Sequence, residues 1–229
     1  MATQDTRDRV ADEARRLFNE QGTAAVSTNH IARAAGISPG NLYYHFRNKE
    51  EIIRAIFARI DAHWAASNSL PADRMPALAD VRATVHEVYA GLWHYRFFYR
   101  ELGALTRRDP ELAARFRLLR ERGVEGTGEL LEAFSDAGVL IIPDDGATLP
   151  RLATTLMLVS EFWLAFAEAG SETPDDDPTG EGVELMMQIL APYAAGHGTT
   201  NGTDRQLAGL AGNESRRDAP AVDEMGATR

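Results

Sequence analysis

Apolar residues recur at helical spacing along most of the chain, and no alternating pattern of useful length indicates a strand. The pattern therefore predicts an all-α protein. A first helix is expected over residues 7–21, with Gly22 just past its end. A short second helix is expected after the hydroxyl caps of Ser27 and Thr28, and Gly36 closes it.

The third helix is expected from the Ser38-Pro39 pair to Phe46, because a serine cap followed by proline favours a helix start. Gly36 joins the second and third helices and permits the left-handed backbone of a tight turn. This arrangement is typical of a helix-turn-helix, although three-helix bundles also serve purely structural purposes. The apolar residues expected to pack the bundle are Leu17, Phe18, Ile31, Ile37, Leu42 and Phe46.

The rest of the chain predicts longer helices. Asn48 and Glu51 resemble a capping box, so a helix is expected from there to residue 68. Further helices are expected at 77–95, 97–107, 109–137, 149–169 and 181–194. Loops are expected between them at 69–76, 138–146 and 170–180. Residues 196–229 contain hardly a large apolar residue, so a disordered tail is expected there.

The net charge of −10 argues against binding nucleic acid, but the distribution of charge reverses that conclusion. Residues 1–49 carry seven basic and five acidic side chains, whereas residues 50–229 carry 17 and 29. Residues 21–49 contain no acid, so the three arginine and lysine side chains there stand unopposed. Because carboxylates repel phosphates, this stretch indicates a DNA-binding surface, unless the gap is due to chance.

A set of residues in this region resembles the DNA-binding domain of TetR-type (tetracycline-repressor) transcriptional regulators. The set consists of Gly22, Ser27, Thr28, Ile31, Ala32, Ala35, Gly36, Ile37, Ser38, Gly40, the string Leu42-Tyr43-Tyr44-His45-Phe46, and Lys49. The resemblance runs without a gap from about Arg7 to Phe57. It implies a helix-turn-helix DNA-binding domain at 1–48 and a helical ligand-binding and dimerisation domain at 49–195. The implied function is that of a ligand-responsive repressor binding a palindromic operator as a homodimer.

Backbone amides at helix N-termini bind anions, and three helix starts in this region carry no acid at their caps. In the family such starts meet phosphates, and the third helix enters the major groove of double-stranded DNA. Asn29 and Asn41 are candidates to bond adenine edges, or are ordinary surface residues. His45 either contacts a phosphate or caps its own helix. The expected DNA-binding residues are Ser27, Thr28, Asn29, Ser38, Gly40, Asn41, Tyr43, Tyr44, His45 and Lys49.

The two last predicted helices are apolar on more than one face. A helix that is apolar all round must be buried all round, and a second copy of the chain is the simplest cover for the extra face. A four-helix bundle formed by two helices from each copy meets this need, and the family resemblance implies the same arrangement. The residues expected in this dimer interface are Phe162, Phe166, Met186 and Ile189.

Six of the eighteen aromatic residues lie within residues 89–99. In the resembled family the small-molecule pocket is built from helices at this position and from the penultimate helix. The residues expected to line a pocket for a small-molecule effector are His86, Tyr89, Trp93, Met157, Ser160 and Trp163. The alternative is that the aromatic residues are ordinary core. Glu161 is a candidate to pair with a cationic ligand, or an exposed glutamate.

Other classes of function lack support in the sequence. There is no cysteine, which excludes thiol catalysis and cysteine-bound zinc and fits a cytoplasmic location. The six histidines show no metal-binding spacing, and no catalytic or cofactor-binding motif is present, so neither an enzyme nor a cofactor is expected. The charged N-terminus does not resemble a signal peptide, and no membrane is expected as a partner. The remaining alternatives are an interaction module containing a helix-turn-helix, or an activator without an inducer.

Overall fold

A computed structural model describes residues 2–66, 74–169 and 177–196, which form ten α-helices and one 3-10 helix. The predicted all-α class is confirmed. The expected tail, apart from Gly196, lies outside the described residues, and so do residues 69–73 and 170–176 of two expected loops.

The N-terminal helices are α1 (Ala2–Ala25), α2 (Thr28–Ala34) and α3 (Pro39–His45). Helix α1 begins earlier than predicted, and it kinks at Gly22, where φ is 74° and ψ is 158°. Gly36 has φ of 67° in the turn between α2 and α3, a backbone conformation that favours glycine. In the same turn the Ile37 amide donates to the Ala32 carbonyl oxygen at 3.0 Å. The predicted helix-turn-helix is therefore confirmed.

Apolar side chains from all three helices hold the helix-turn-helix together. Ile31, Leu42 and Phe46 are fully buried, and Phe18 is nearly so. Burying each such side chain contributes about 1.5–3 kcal/mol relative to leaving it in water. Because these residues occupy the inner faces of α2 and α3, the polar residues between them are turned outward.

The remaining helices follow the predicted order closely. They are α4 (Lys49–Ala66), α5 (Leu78–His94), α6 (Arg96–Arg100), α7 (Leu102–Arg108), α8 (Pro110–Asp136), α9 (Thr148–Ala169) and α10 (Thr179–Leu190), followed by a 3-10 helix at Ala191–Tyr193. The single helix predicted at 97–107 is wrong, because the chain breaks at Glu101 and forms α6 and α7 instead. Neither proline nor glycine marks this break at residue 101.

Asn19 fastens helix α1 to the junction between α5 and α6 by side-chain hydrogen bonds, a contact called the clip below. The buried Asn19 amide donates to the His94 carbonyl oxygen at 2.9 Å and accepts from the Phe97 amide at 3.1 Å. The side chain thus serves backbone groups that the ends of α5 and α6 leave without helical partners. The backbone carbonyl of Asn19 in turn accepts from Arg100 at 3.1 Å.

Helix α4 connects the helix-turn-helix to the helices that follow. Its buried residues Ile52, Ile56 and Phe57 belong to one core that extends from α1 to α10. The predicted domain boundary at residue 48/49 stays a prediction. Among the described residues α9 is long and apolar enough to cross a membrane by length and composition, and it packs against α8, α6 and α5 in this fold.

Candidate nucleic-acid interface and effector cavity

Helix α3 presents a polar and aromatic face on the outside of the helix-turn-helix. Tyr43 and Tyr44 are 51% and 79% exposed, and Gly40 and Asn41 beside them are exposed as well. Leu42, one residue from both Asn41 and Tyr43, is fully buried. The short helix is therefore fixed by its inner side chains, and its outer ones are available to a partner.

Serine caps and a tyrosine fix the helix starts. Ser27 Oγ accepts from the His30 amide at 3.2 Å, and Ser38 Oγ accepts from the Asn41 amide at the same distance. The Tyr43 hydroxyl lies 3.0 Å from Thr28 Oγ1, which links α3 to the first residue of α2. These contacts hold the outer faces of α2 and α3 in a fixed relation.

The end of α3 is supported by Arg7 of α1. The Arg7 guanidinium donates to the His45 carbonyl oxygen at 2.7 Å and lies 4.2 Å from the centroid of the Phe46 ring. Tyr44 and His45 contact each other edge to face, with 5.2 Å between ring centroids. The exposed Tyr44 is thereby held at the C-terminal end of the helix.

Lys49 points inward rather than to solvent. Its ammonium donates to the carbonyl oxygens of Thr23 and Val26, at 2.5 Å and 3.0 Å. The amide and hydroxyl of Thr23 both donate to the carboxylate of Glu101, at the break between α6 and α7. These bonds thus join the start of α4, the end of α1 and the junction of α6 with α7 at one point.

The structure brings the predicted DNA-binding residues onto one part of the molecule. Seven are exposed and three are half-buried; the exposed ones are Ser27, Asn29, Ser38, Gly40, Asn41, Tyr43 and Tyr44, and the half-buried ones are Thr28, His45 and Lys49. Arg33 and Arg47 are exposed in the same acid-free stretch. Contact of these residues with DNA stays a prediction.

A cavity of about 190 Å³ lies between α4, α5, α6, α8 and α9. Its apolar walls are formed by Trp64, Ala65, Val88, Leu92, Tyr99, Phe116, Leu119, Leu130 and Met157. A second cavity of about 100 Å³ adjoins it toward α10. The two cavities share Val88, Thr127, Leu130, Met157 and Ser160. A ligand in either cavity would therefore touch side chains that also line the other.

Two ion pairs stand at the first cavity. The Glu161 carboxylate accepts from Arg120 at 3.1 Å and 2.8 Å, and Asp61 accepts from Arg122 at 2.6 Å. Inside the cavity Trp64 Nε1 donates to the Tyr99 hydroxyl at 2.9 Å. Burial, with a smaller contribution from the Glu161 charge, raises the pKa of Tyr99. The cavity is thus apolar over most of its wall and charged at one side.

The predicted pocket residues separate into two groups. Met157 and Ser160 line both cavities, whereas the other four are not among the lining residues. Tyr89 is buried, its ring pressed against Gly182 of α10, and burial raises its pKa to about 12. Its hydroxyl has no hydrogen-bond partner of good geometry among the described residues, although Ser160 lies beside it.

Trp93 and Trp163, the other two aromatic residues predicted for the pocket, make contacts outside the two cavities. The Trp93 ring lies under Arg96, whose guanidinium carbon is 4.3 Å from the ring centroid, and Trp163 Nε1 donates to the Pro178 carbonyl oxygen at 3.4 Å. His86 is exposed. The expectation of an exposed Glu161 is wrong, because this carboxylate is 6% exposed and paired. An acid in the middle of the apolar helix α9 is the sequence signal that favours the other interpretation, in which Glu161 faces a ligand.

The residues predicted for the dimer interface also fall into two groups, which differ in exposure. Phe162 and Phe166 are 49% and 75% exposed, and with Leu158 they form a stripe along α9. Ile189 is half-buried on α10. Met186 is 4% exposed and packs in the core of its own chain, so it has almost no surface to offer a partner. Its place in an interface stays a prediction that this burial does not favour.

The fold and its outer face define a helix-turn-helix protein with a cavity between its helices. Residues 10–56 match the family described as bacterial regulatory proteins, tetR family, and residues 60–201 match the one described as bacterial transcriptional repressor (TetR). The chain therefore belongs to the TetR family, and it is a helix-turn-helix transcriptional regulator.

Individual relatives agree with this assignment. A TetR-family regulator from Marinobacter aquaeolei VT8 has a TM-score of 0.73 and 33% identity, covering 88% of this chain and 95% of that one. The HTH-type transcriptional regulator UidR of Escherichia coli (strain K12) is 32% identical over 124 residues, which are 48% of this chain and 57% of UidR. This chain thus matches little more than half the length of UidR. The SmeT–triclosan complex shares the fold, with a TM-score of 0.57, 22% identity, and coverage of 84% and 93%.

Proposed function

We propose that this regulator is a ligand-responsive repressor whose homodimer binds a palindromic operator and releases it when a small molecule occupies the cavity. The observation that carries this proposal is the course of α4. At its first residue Lys49 bonds to Thr23 near the end of α1, and near its other end Asp61, Trp64 and Ala65 line the cavity. A shift of α4 caused by a ligand is therefore felt at the helix-turn-helix.

On DNA, α3 enters the major groove with Gly40 close to the bases. Asn41 reads a base edge, as does Asn29, because a carboxamide pairs bidentately with adenine. The hydroxyls of Tyr43 and Tyr44, the imidazole of His45 and the starts of the helices contact phosphates, which fix the register. The acid-free stretch supports these contacts, since nothing negative opposes the phosphates there.

The dimer forms through α9 and α10. Leu158, Phe162 and Phe166 leave an apolar stripe exposed, with the half-buried Ile189 on the neighbouring helix. A two-fold axis places the stripe against its copy and makes a four-helix bundle. The two helix-turn-helix units of the dimer then contact two half-sites about 34 Å apart.

The effector binds in the cavity and distinguishes the two states of the dimer, since a ligand with equal affinity for both would shift nothing. The SmeT structure is a complex with triclosan, which supports a small organic effector for this chain as well. A cytoplasmic location belongs to this proposal, because the operator is chromosomal.

Selection of duplexes from a random pool tests the proposal. The expected product is a palindrome, and its binding should weaken steeply with salt, as phosphate contacts require. Asn41→Ala should change which bases are preferred, whereas Glu132→Gln, a change at an exposed position of α8, should not change them. Equal affinity of the intact protein for selected and random duplexes would refute operator binding.

A further inference from the structure

The charged side of the cavity is built asymmetrically. Glu161 and Arg120 form a two-bond ion pair, but 8% of the glutamate side chain is accessible to solvent, compared with 46% of the arginine. The glutamate belongs to α9 and is fixed in the interior, whereas the arginine reaches over it from α8. The arginine can therefore leave toward water at small cost, and the carboxylate cannot.

The Arg120 guanidinium shows what the site accepts. It is held by the Glu161 carboxylate, and its central carbon also lies 5.0 Å from the centroid of the Phe116 ring. A carboxylate and an aromatic face together stabilise a positive charge that is partly removed from water. Phe116 and Glu161 both line the cavity, so this place is continuous with the apolar space.

We infer that the effector is an apolar organic cation, whose charged group displaces Arg120 and takes its position between Glu161 and the Phe116 ring. This inference rests on the proposed function and names the chemical class that the cavity selects. The apolar part of the ligand lies against Trp64, Leu92 and Met157. The displaced arginine enters solvent, and the positive charge of the ligand then balances the charge of the buried carboxylate.

An anionic effector does not fit the same arrangement. Glu161 takes two of the five N–H donors of Arg120, and an anion that bound the remaining donors would lie close to the buried carboxylate, which repels it. A neutral ligand can fill the apolar space but gains nothing from the carboxylate. The expected order of affinity is therefore cation, then neutral compound, then anion.

Three compounds of similar shape test this order. They are benzyltrimethylammonium, its uncharged carbon isostere neopentylbenzene, and phenylmethanesulfonate. Binding is followed by tryptophan fluorescence, to which Trp64 in the cavity wall contributes, and release of the selected operator is measured in parallel. The ammonium compound should bind about tenfold or more tightly than the isostere, as expected for a charge-assisted contact.

Two variants and a matched control test the roles of the ion pair. Glu161→Gln should remove the preference for the cation and leave the isostere's affinity unchanged. Arg120→Ala should increase affinity for the cation several-fold, because the internal competitor is gone; Arg120→Gln is used if that variant does not fold. Arg115→Ala is the control, since Arg115 is another half-exposed arginine of α8 that pairs with a glutamate, Glu111. It should change neither affinity.

The outcomes separate this inference from the proposed function. Equal or tighter binding of the isostere or the sulfonate overturns the cation class, and operator release by that compound would still leave a ligand-responsive repressor. Weaker binding of the cation to both Arg120 variants overturns the displacement of Arg120. Cation preference that is lost in Glu161→Gln and enhanced in Arg120→Ala supports the inference.

Discussion

The Lys49 ammonium donates a hydrogen bond to the Val26 carbonyl oxygen, with 3.0 Å between the two atoms. The second bond, to Thr23, reaches the segment of α1 just beyond the kink at Gly22. Carbonyl groups at a helix end lack helical partners, so a side-chain donor is valuable there. Lys49 is also the one lysine of the sequence, and it stands at the first residue of α4.

Replacing Lys49 by methionine should destabilise the protein, because the stem is kept while both carbonyl groups lose their donor. We expect the free energy of unfolding to fall by about 1–3 kcal/mol. Chemical denaturation followed by circular dichroism measures this change. Affinity for DNA should fall for all sequences alike, since the end of α1 is no longer held against α4.

The salt dependence of DNA binding then tests whether Lys49, one of the predicted DNA-binding residues, contacts a phosphate. If the ammonium turns to a phosphate in the complex, the slope of log affinity against log salt becomes shallower by about one unit in the variant. Arg47→Met is the control for the stability measurement, since the Arg47 side chain is 89% exposed. It should leave stability within about 0.5 kcal/mol of the parent. Unchanged stability of Lys49→Met would contradict the role of the two carbonyl bonds.

A second prediction concerns the clip between α1 and the junction of α5 and α6. Asn19→Leu removes a donor from the His94 carbonyl and an acceptor from the Phe97 amide, both within the protein. The Phe97 amide is then left unpaired, whereas the His94 carbonyl oxygen keeps a hydrogen bond from Arg15 at 3.2 Å. The free energy of unfolding should therefore fall by about 1–3 kcal/mol, the cost of one buried polar group without a partner. Urea denaturation measures it. Gln21→Ala, at an exposed position of α1, should have almost no effect, and equal stability of the two variants would refute the clip.

The helix-turn-helix could be predicted because its determinants are local. A positive-φ glycine at residue 36 and the serine cap at residue 38 act on neighbouring backbone, and Leu42 and Phe46 lie one turn apart. Short-range rules of this kind do not depend on the rest of the fold. Tyr44 is exposed because Leu42 and Phe46, two residues before and after it, take the buried face.

The cavity was less predictable from the sequence than the helix-turn-helix, because its lining comes from five helices that meet only in the fold. Aromatic density suggested Trp93, but that ring is covered by arginines three and seven residues later, at helical spacing. The partner of Glu161 is Arg120, 41 residues earlier on another helix, and no local pattern joins them. Composition therefore indicated helices that border the cavity, but mostly not the side chains of those helices that line it.

Helix α10 passes close to Tyr89, and a glycine makes this possible. A Cβ atom on Gly182 would lie 2.2 Å from Tyr89 Cε1 and 2.8 Å from Trp163 Nε1, whereas none of the surrounding atoms comes within 4 Å of a Cβ on Gly180. Gly182→Ala should therefore lower the free energy of unfolding by about 1–3 kcal/mol, as overpacking does. Gly180→Ala should be neutral or stabilising by about 0.5 kcal/mol, because alanine favours helix. Thermal unfolding of both variants checks the contrast, and a Gly182→Ala variant as stable as Gly180→Ala would contradict the close approach.

The proposed dimer makes opposite predictions for two apolar residues of the last helices. Phe162 is half exposed on α9, so Phe162→Asp should leave the chain folded and prevent the stripe from burying itself against a second copy. Met186 is buried in its own core, so Met186→Asp should instead destabilise the fold, by about 3–5 kcal/mol for an unpaired buried charge. Sedimentation gives the oligomeric state and circular dichroism the helical content. The parent should sediment as a dimer at micromolar concentration, Phe162→Asp as a helical monomer, and Met186→Asp should lose helicity or aggregate. A Phe162→Asp variant that remains dimeric would place the interface on another surface, while a folded monomeric Met186→Asp would mean that this methionine faces the partner after all.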